Sequence, residues 1–470
     1  MNQTQLLFGR RGALYLVVII GYLFAFGFSL LEPIVKTTRP TTVKPTTTSS
    51  KEMTRKQVLA GGLCSAFLGL LYGSGGRANA MTIQPPSSSS GIMSSTTITS
   101  MTSPPSYLAS YKSLSIPVEQ FGVTVPVACW IPSKNNDASP TASLSSVSYD
   151  HRISVRRIGQ LLAKWDFIPE FTSRDFTLSP TSSFVTTGEE LPSSDDKGIP
   201  VVILAHGYLG SRYDLSHLAE QLANEGFLCL APEYPESLAA SYERMDGLDR
   251  AVINDRLLKA ISTEWKLPVS KFGMVGHSAG CGTALKTGDA SWTRVCISGI
   301  PLAVQRDGTP MPDNVLYVTS TNDFVMKRFA TDPLPTESFD LITEDSLPSL
   351  LGNNKKIPTK AIYQLDRQDG PNHISFLAEG TNNAMIDLLS PLLPVAQALD
   401  IPVLDFDQYQ KSKDSVATAK VYQPLVIQYL KQQMMAYQAQ SSTIGCPCRC
   451  IFCDFSGLFV NFLRFLREIR

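Results

Sequence analysis

The stretch Gly276-His277-Ser278-Ala279-Gly280 decides the fold of this 470-residue chain. The Gly-x-Ser-x-Gly pattern is typical of a sharp turn between a strand and a helix that exposes the serine side chain. Such a turn brings backbone segments so close together that side chains at the two outer positions would clash. The pattern therefore predicts a strand that ends at this turn and a helix that begins there.

The residues on both sides of the pentapeptide agree with this prediction. The preceding run, residues 269–275, is short and mostly apolar and follows a Leu-Pro pair, as expected of a buried strand. Residues 281–285 begin with small side chains and continue with a helix former. The predicted order is thus strand, tight turn and helix.

A second signal lies about 70 residues upstream of the serine. Residues 199–205 form an apolar run that predicts another buried strand, and this run ends in His206-Gly207-Tyr208-Leu209-Gly210. A strand that closes in His-Gly before such a serine is typical of a loop that supplies a backbone amide to a developing oxyanion. We therefore expect the backbone N–H groups of Tyr208 and Ala279 to form an oxyanion hole.

The histidines narrow the choice of a general base. The chain contains five of them, His151, His206, His217, His277 and His373. His373 is the only one that follows Ser278, and it lies in a loop signal just after the predicted strand at 360–365. Because a neutral imidazole is the expected base for a serine hydroxyl, we predict that His373 takes this role.

The sequence leaves alternatives for the carboxylate that orients the histidine. Residues 315–320 predict a strand, and Asp323 follows at its carboxyl end, where active-site groups of open α/β sheets gather. We take Asp323 as the acid that orients the histidine and stabilises its cation. Asp366 and Asp369 are alternatives because they lie in the histidine's own loop, whereas Asp313 precedes the strand and lies at the wrong end.

With these motifs in this order, the chain resembles the α/β-hydrolase superfamily over roughly residues 112–440. The resemblance implies an α/β fold with a mostly parallel central sheet and helices on both faces. It also implies a serine hydrolase that cleaves a small-molecule carboxylic ester through an acyl-enzyme, with Ser278 as nucleophile and with neither a metal nor an organic cofactor. Residues 201–234, and above all 218–227, are similar to platelet-activating-factor acetylhydrolases, chlorophyllases and dienelactone-hydrolase-like enzymes.

One position departs from the acetylhydrolase and chlorophyllase pattern. Those enzymes place the acid just after the strand that follows the serine turn, which is predicted here at 294–299, and Ser298 stands where their aspartate would be expected. The acid is therefore expected one strand later, at Asp323, as in dienelactone hydrolases and many lipases. This departure weakens those two assignments and leaves the superfamily assignment unchanged.

Two other functions are compatible with the same residues. An acyltransferase would keep the fold and the serine but pass the acyl group to an alcohol, and a non-catalytic binding protein would keep the fold alone. Pseudoenzymes usually lack one member of the triad, whereas a full candidate set is present here. Nucleic acid is not an expected partner, because 41 basic and 41 acidic residues give a net charge of zero.

The first 81 residues differ from the rest of the chain. Arg10-Arg11 precede an apolar run at 13–31 of nearly membrane-spanning length, residues 35–57 are rich in Thr, Ser, Pro, Lys and Arg, and a second apolar run at 58–72 leads to Ala78-Asn79-Ala80. This series of signal, transit-like and second signal segments resembles the import address of thylakoid-lumen proteins in algae with complex plastids. The prediction is a plastid location, with a membrane anchor or the secretory pathway as alternatives.

The remaining segments complete the predicted domain organisation. Residues 82–111 are expected to form a disordered linker rich in Ser, Thr and Pro. The hydrolase domain, 112–440, is long enough for one large core and contains a polar insertion at 133–198 with a helix near 152–165. This insertion is expected either to form a lid over the site or to pack on the edge of the sheet.

The C-terminal tail, residues 441–470, contains a dense group of cysteines. Cys446, Cys448, Cys450 and Cys453 lie within eight residues and precede an apolar segment with regularly spaced arginines. A structural zinc site is one interpretation of this tail, although zinc ligands usually come as two separated pairs. Lipidated cysteines beside a membrane-surface helix are a second interpretation, and an error in the gene model is a third. The other cysteines are expected to be small buried hydrophobic residues: Cys64, Cys129, Cys229, Cys281 and Cys296.

Overall fold

The computed structural model describes residues 107–134, 147–163, 173–182, 185–187, 190–193, 198–299, 311–323, 325–326, 338–352, 355–366, 370–389 and 415–435. The predicted targeting region, most of the linker and the C-terminal tail lie outside the described residues. None of the helices in the described ranges is both long enough and apolar enough to span a membrane.

Twelve strands are described. They are β1 (Tyr107–Val118), β2 (Val123–Lys134), β3 (Tyr149–Ile153), β4 (Arg174–Leu178), β5 (Thr186–Thr187), β6 (Ile199–Ala205), β7 (Leu228–Pro232), β8 (Val269–His277), β9 (Thr293–Ile297), β10 (Val315–Ser320), β11 (Asp340–Thr343) and β12 (Lys360–Leu365). The predicted strands at 199–205, 315–320 and 360–365 are confirmed to the residue. β1 begins at Tyr107, inside the segment that was expected to be linker.

Seven α-helices accompany these strands in the described part of the chain. They are α1 (Val155–Ala163), α2 (Ser216–Asn224), α3 (Arg250–Lys259), α4 (Ala279–Lys286), α5 (Leu347–Gly352), α6 (Glu379–Leu389) and α7 (Ser415–Met434). Asp249 caps the start of α3, where its side chain accepts a hydrogen bond from the backbone N–H of Val252 at 3.0 Å. α4 begins directly after Ser278, as the pentapeptide predicts.

Ten strands form one central sheet in the order β11-β12-β10-β9-β8-β6-β7-β2-β1-β5. All pairs from β7 to β11 are parallel, and β2 runs antiparallel to both of its neighbours, β7 and β1. The predicted mostly parallel sheet is confirmed. Because neighbouring parallel strands end at the same edge, the residues that follow β6, β8, β9, β10 and β12 come together there.

Helices cover both faces of this sheet. Along β6, Val202 and Leu204 are buried in a cluster that includes residues of α2 and α7, whereas Val201 and Ile203 are buried in a second cluster with residues of α3. This alternation follows from the two-residue period of a strand. The described cysteines are buried and unpaired, as predicted: Cys129, Cys229, Cys281 and Cys296.

The described part of the insertion is packed onto the domain. β3 and β4 form a separate antiparallel pair, and Ile158 and Leu161 of α1 are buried in the same cluster as α2. The hydroxyl of Tyr149 on β3 donates a hydrogen bond to the buried carboxylate of Glu220 on α2 at 2.8 Å. The predicted helix near 152–165 is thus described as α1, and residue 165 lies outside the described residues.

Candidate active site

Four neighbouring strands each deliver one polar side chain to the same edge of the sheet. Ser278 directly follows β8 and Ser298 directly follows β9. Asp323 lies three residues beyond β10, and His373 begins a short 3-10 turn (His373–Phe376) in the loop after β12. The sheet order β8-β9-β10-β12 therefore places these four residues side by side.

The turn around Ser278 is strained in the way that the glycine pattern predicts. Ser278 has φ 54° and ψ −119°, a conformation that side chains rarely adopt. A Cβ atom on Gly276 would overlap the carbonyl of Gly280, and one on Gly280 would overlap the carbonyl of Ala205 on β6. Both positions are therefore restricted to glycine by backbone contacts, and Ser278 projects from the turn between β8 and α4.

Ser278, His373 and Asp323 form a continuous hydrogen-bonded chain. The Oγ of Ser278 lies 2.8 Å from Nε2 of His373, and Nδ1 of His373 lies 2.9 Å from Oδ2 of Asp323. With the Nδ1–H group donating to the carboxylate, Nε2 is left to accept the serine hydroxyl proton. The structure thus brings together the three side chains that the sequence singles out as nucleophile, base and acid.

The carboxylate of Asp323 is fully buried and held by three hydrogen-bond donors. Its Oδ1 accepts a hydrogen bond from the backbone N–H of Met326 at 3.0 Å, and its Oδ2 accepts bonds from His373 and from the hydroxyl of Ser298. Burial on its own raises the pKa of Asp323, but the charge of His373 and these hydrogen bonds outweigh it and hold the pKa below its ordinary value. The acid is therefore ionised at neutral pH.

The other aspartates considered for this role have different surroundings. Asp366 is exposed and accepts a hydrogen bond from the hydroxyl of Thr321 at 2.9 Å. Asp313 forms an ion pair with Lys360 at 2.7 Å, at the opposite end of β10 from the serine. Asp369 lies outside the described residues.

The loop after β6, residues 206–210, lies against Ser278, and we call it the oxyanion loop after the role that the sequence predicts for it. A Cβ atom on Gly207 would stand 3.1 Å from Cβ of Ser278, so a larger residue here would press on the serine. The carbonyl of Gly207 accepts hydrogen bonds from Arg250 at 3.3 Å and from the ring of His206 at 2.8 Å. In a trans peptide the N–H group points away from the carbonyl, so the amide of Tyr208 points away from Arg250.

The two amides predicted to bind an oxyanion have no protein acceptor among the described residues. The N–H of Tyr208 follows Gly207, and the N–H of Ala279 belongs to the first residue of α4, where helix amides have no intrahelical partner. Two donors beside Ser278 are thereby left without a partner in the described part of the chain. This arrangement suits a negatively charged oxygen.

Two further histidines support the site as neutral groups. Nδ1–H of His206 donates to the carbonyl of Gly207, and its Nε2 accepts a hydrogen bond from the backbone N–H of Tyr234 at 2.9 Å; burial holds the pKa of His206 well below its ordinary value. His277 donates from Nε2 to the carbonyl of His373 at 2.9 Å, and burial lowers the pKa of His277 to about 3. Sequence reasoning missed these roles, because neither contact follows from a motif.

No protein-family model and no curated protein matches the sequence. Similar solved structures include a ferulic acid esterase from Streptomyces cinnamoneus (17% identity, 71% of this chain and 92% of that chain, TM-score 0.33). A second is a dienelactone hydrolase from Anabaena variabilis (16% identity, 61% of this chain and 97% of that chain, TM-score 0.29). A third is the Pyrococcus furiosus esterase Pf2001 (11% identity, 69% of this chain and 91% of that chain, TM-score 0.31).

The fold assignment is carried by the chain's own architecture. Helices cover both faces of a mostly parallel sheet, the strained serine turn joins β8 to α4, and a His-Gly loop after β6 lies against the serine. The serine, the acid and the histidine follow one another in the order Ser278, Asp323, His373. This chain has the α/β-hydrolase fold.

Proposed function

We propose that this protein is a serine hydrolase that cleaves carboxylic esters through an acyl-enzyme. The observation that carries the proposal is the chain of contacts from Ser278 to His373 at 2.8 Å and from His373 to Asp323 at 2.9 Å. Such a chain couples a serine hydroxyl to a base whose orientation is held by a buried carboxylate. Its position beside two unpaired backbone amides supports acyl transfer in particular.

The proposed reaction begins with attack of the Ser278 Oγ on the ester carbonyl carbon. The hydroxyl proton moves to Nε2 of His373, and the carbonyl oxygen becomes an oxyanion that accepts hydrogen bonds from the amides of Tyr208 and Ala279. The tetrahedral intermediate collapses, the C–O bond to the alcohol breaks, and His373 returns the proton to the leaving alkoxide. Water deprotonated by His373 then attacks the acyl-enzyme, the bond from the acyl carbon to Oγ breaks, and His373 returns the proton to Oγ of Ser278 as the carboxylic acid leaves.

The test is Ser278→Ala in the purified full-length protein, assayed on a short-chain p-nitrophenyl ester. We expect kcat to fall by about a million-fold, as for the loss of a nucleophile in a serine hydrolase. The matched control is Ser262→Ala, which removes an exposed hydroxyl that bonds only within its own helical segment and should leave kcat within about twofold. Activity that survives in Ser278→Ala would show that the proposal is wrong.

Two experiments separate the proposal from its alternatives. A fluorophosphonate probe should label Ser278 in the wild-type protein and leave Ser278→Ala unlabelled, whereas a non-catalytic binding protein would show no labelling of either. Product analysis with an added alcohol acceptor would reveal an acyltransferase as a new ester in place of the free acid. Together these readouts assign the reaction without knowledge of the natural substrate.

The location of the protein and its natural ester form a second part of the proposal. The three successive targeting segments within residues 1–81 support a plastid, and specifically its thylakoid lumen. In that compartment a lipid-like or chlorophyll-type ester is a natural candidate substrate. Residues 1–81 fused to a fluorescent protein should accumulate in the plastid, and a secretory or membrane signal from the same fusion would refute this location.

A further inference from the structure

Ser298 lies inside the site in a conformation that is costly for a serine. It is fully buried at the end of β9, and its backbone N–H donates to the carbonyl of Val318 on β10 at 2.8 Å, so its main chain is held by the sheet. Its φ is +51°, in the left-handed region that favours glycine. A buried polar side chain in a strained conformation indicates that the hydroxyl is used.

The hydroxyl of Ser298 contacts both partners of the acid–base pair. It donates to Oδ2 of Asp323, and its Oγ lies 3.1 Å from Nδ1 of His373. Asp323 forms no ion pair with a lysine or arginine among the described residues, so its charge is stabilised there by hydrogen bonds, including the one from His373. The Ser298 hydroxyl is the only side-chain donor besides His373 in that described set.

We propose that Ser298 is a positioning residue of the triad, whose hydroxyl fixes the Asp323 carboxylate against Nδ1 of His373. This inference rests on the proposed function.

The test compares Ser298→Ala with Ser298→Gly. Both lack the hydroxyl, and loss of a hydrogen bond to a charged group should lower kcat by about 10- to 100-fold with little change in KM. Glycine relieves the strained φ, so Ser298→Gly should melt at a higher temperature than Ser298→Ala. Equally lowered kcat values at different melting temperatures would support positioning, because a merely structural residue would lower kcat in step with stability.

A matched control comes from the neighbouring strand. Ser320→Ala removes a buried hydroxyl at the end of β10 that accepts a hydrogen bond from the backbone of Asn322 at 3.2 Å. We expect this variant to keep kcat within about twofold of wild type. Wild-type kcat in both Ser298 variants, or kcat that follows their melting temperatures, would overturn the positioning role.

Ser278→Ala, assayed in parallel, separates this inference from the proposed function. If Ser278→Ala keeps its activity, the proposed function fails. If Ser278→Ala is inactive while both Ser298 variants match wild type, the positioning role alone fails and the triad stands.

Discussion

Replacing Arg250 by methionine tests how the oxyanion loop is held in place. Arg250 lies at the start of α3, and its Nη1 donates to the carbonyl of His206 at 2.8 Å and to the hydroxyl of Thr283 on α4 at 3.2 Å. Its Nη2 donates to the carbonyl of Gly207 at 3.3 Å. One side chain thus ties the loop before Tyr208 to the helix that begins at the serine turn.

The expected effect on catalysis follows from these bonds. Methionine keeps much of the length of Arg250, but it donates nothing to the two carbonyls and loses the cation–π contact of the guanidinium with Tyr234, whose ring centroid lies 4.6 Å from the guanidinium carbon. A loop freed to turn would misplace the amide of Tyr208, and the loss of one oxyanion donor costs about 2.7–4 kcal/mol, or about 100- to 1,000-fold in kcat. KM should change little, because this donor acts on the transition state.

The stability of the variant is expected to fall at the same time. Hydrogen bonds from a charged donor contribute about 1.5–3 kcal/mol each, and they are not additive. The substitution removes the two bonds to the loop, the bond to Thr283 and an ion pair with Glu236 at 3.2 Å from a largely buried side chain, so we expect the free energy of unfolding to decrease by about 3 kcal/mol or more. The catalytic effect must therefore be separated from destabilisation.

Arg256→Met is the control for this separation. Arg256 lies on the same helix, where its Nε donates to the carbonyl of Pro117 at 2.6 Å and its guanidinium forms an ion pair with Glu264 at 2.6 Å. In the described part of the chain no hydrogen bond joins Arg256 to the oxyanion loop. It should lose comparable stability and keep kcat within about twofold. Steady-state kinetics on a p-nitrophenyl ester and thermal unfolding of both variants separate the catalytic effect from destabilisation. Wild-type kcat in Arg250→Met, or an equal loss of kcat in Arg256→Met, would refute the role of Arg250 in holding the oxyanion loop.

Three further predictions concern single side chains. Burial raises the pKa of Glu220 to about 7 despite hydrogen bonds from Ser182, Tyr149 and Thr181. The contribution of Glu220 to stability is therefore full below about pH 4.5 and is lost as the pH rises through 7. Between urea unfolding at pH 5 and at pH 8, the free energy of unfolding of wild type should fall by up to about 3 kcal/mol more than that of Glu220→Gln. Gly276→Ala should give no folded protein by circular dichroism, because its Cβ would overlap the carbonyl of Gly280, and soluble active enzyme would contradict this. Tyr208→Phe loses only the bond from the hydroxyl to the carbonyl of Leu161 at 2.8 Å, so kcat should stay within about threefold while the free energy of unfolding falls by about 1 kcal/mol; a 100-fold loss of kcat would assign the side chain a catalytic role.

Much of the sheet could be predicted from the sequence because its central strands are buried on both faces. Such strands are continuous apolar runs with clear ends, and the bounds of β6, β10 and β12 were predicted to the residue. The start of β1 was expected to be linker, because polar residues such as Ser110 and Lys112 interrupt its apolar residues. It becomes a strand through a full antiparallel register with β2, a partner that no local pattern reveals.

The site residues also differ in how far the sequence identifies them. Ser278 follows from a motif and His373 from being the only histidine downstream of it, so both could be chosen from the sequence. The acid is less well defined by the sequence, since Asp323 and Asp366 both follow a predicted strand. They differ in their distance from His373, which depends on the conformation of the loops and not on a motif. In space, Asp323 lies 2.9 Å from His373, while Asp366 lies at the surface against Thr321.

Ser298 shows why residues that act through others escape a reading of motifs. Neighbouring strands lie about 4.8 Å apart, so the residue that ends β9 must stand between those that follow β8 and β10, whatever its type. A large apolar residue there would separate Asp323 from His373, and an aspartate would compete with Asp323 for Nδ1. A small side chain that can donate one hydrogen bond meets both conditions, so the position of the acid after β10 and the identity of residue 298 are consequences of the same geometry.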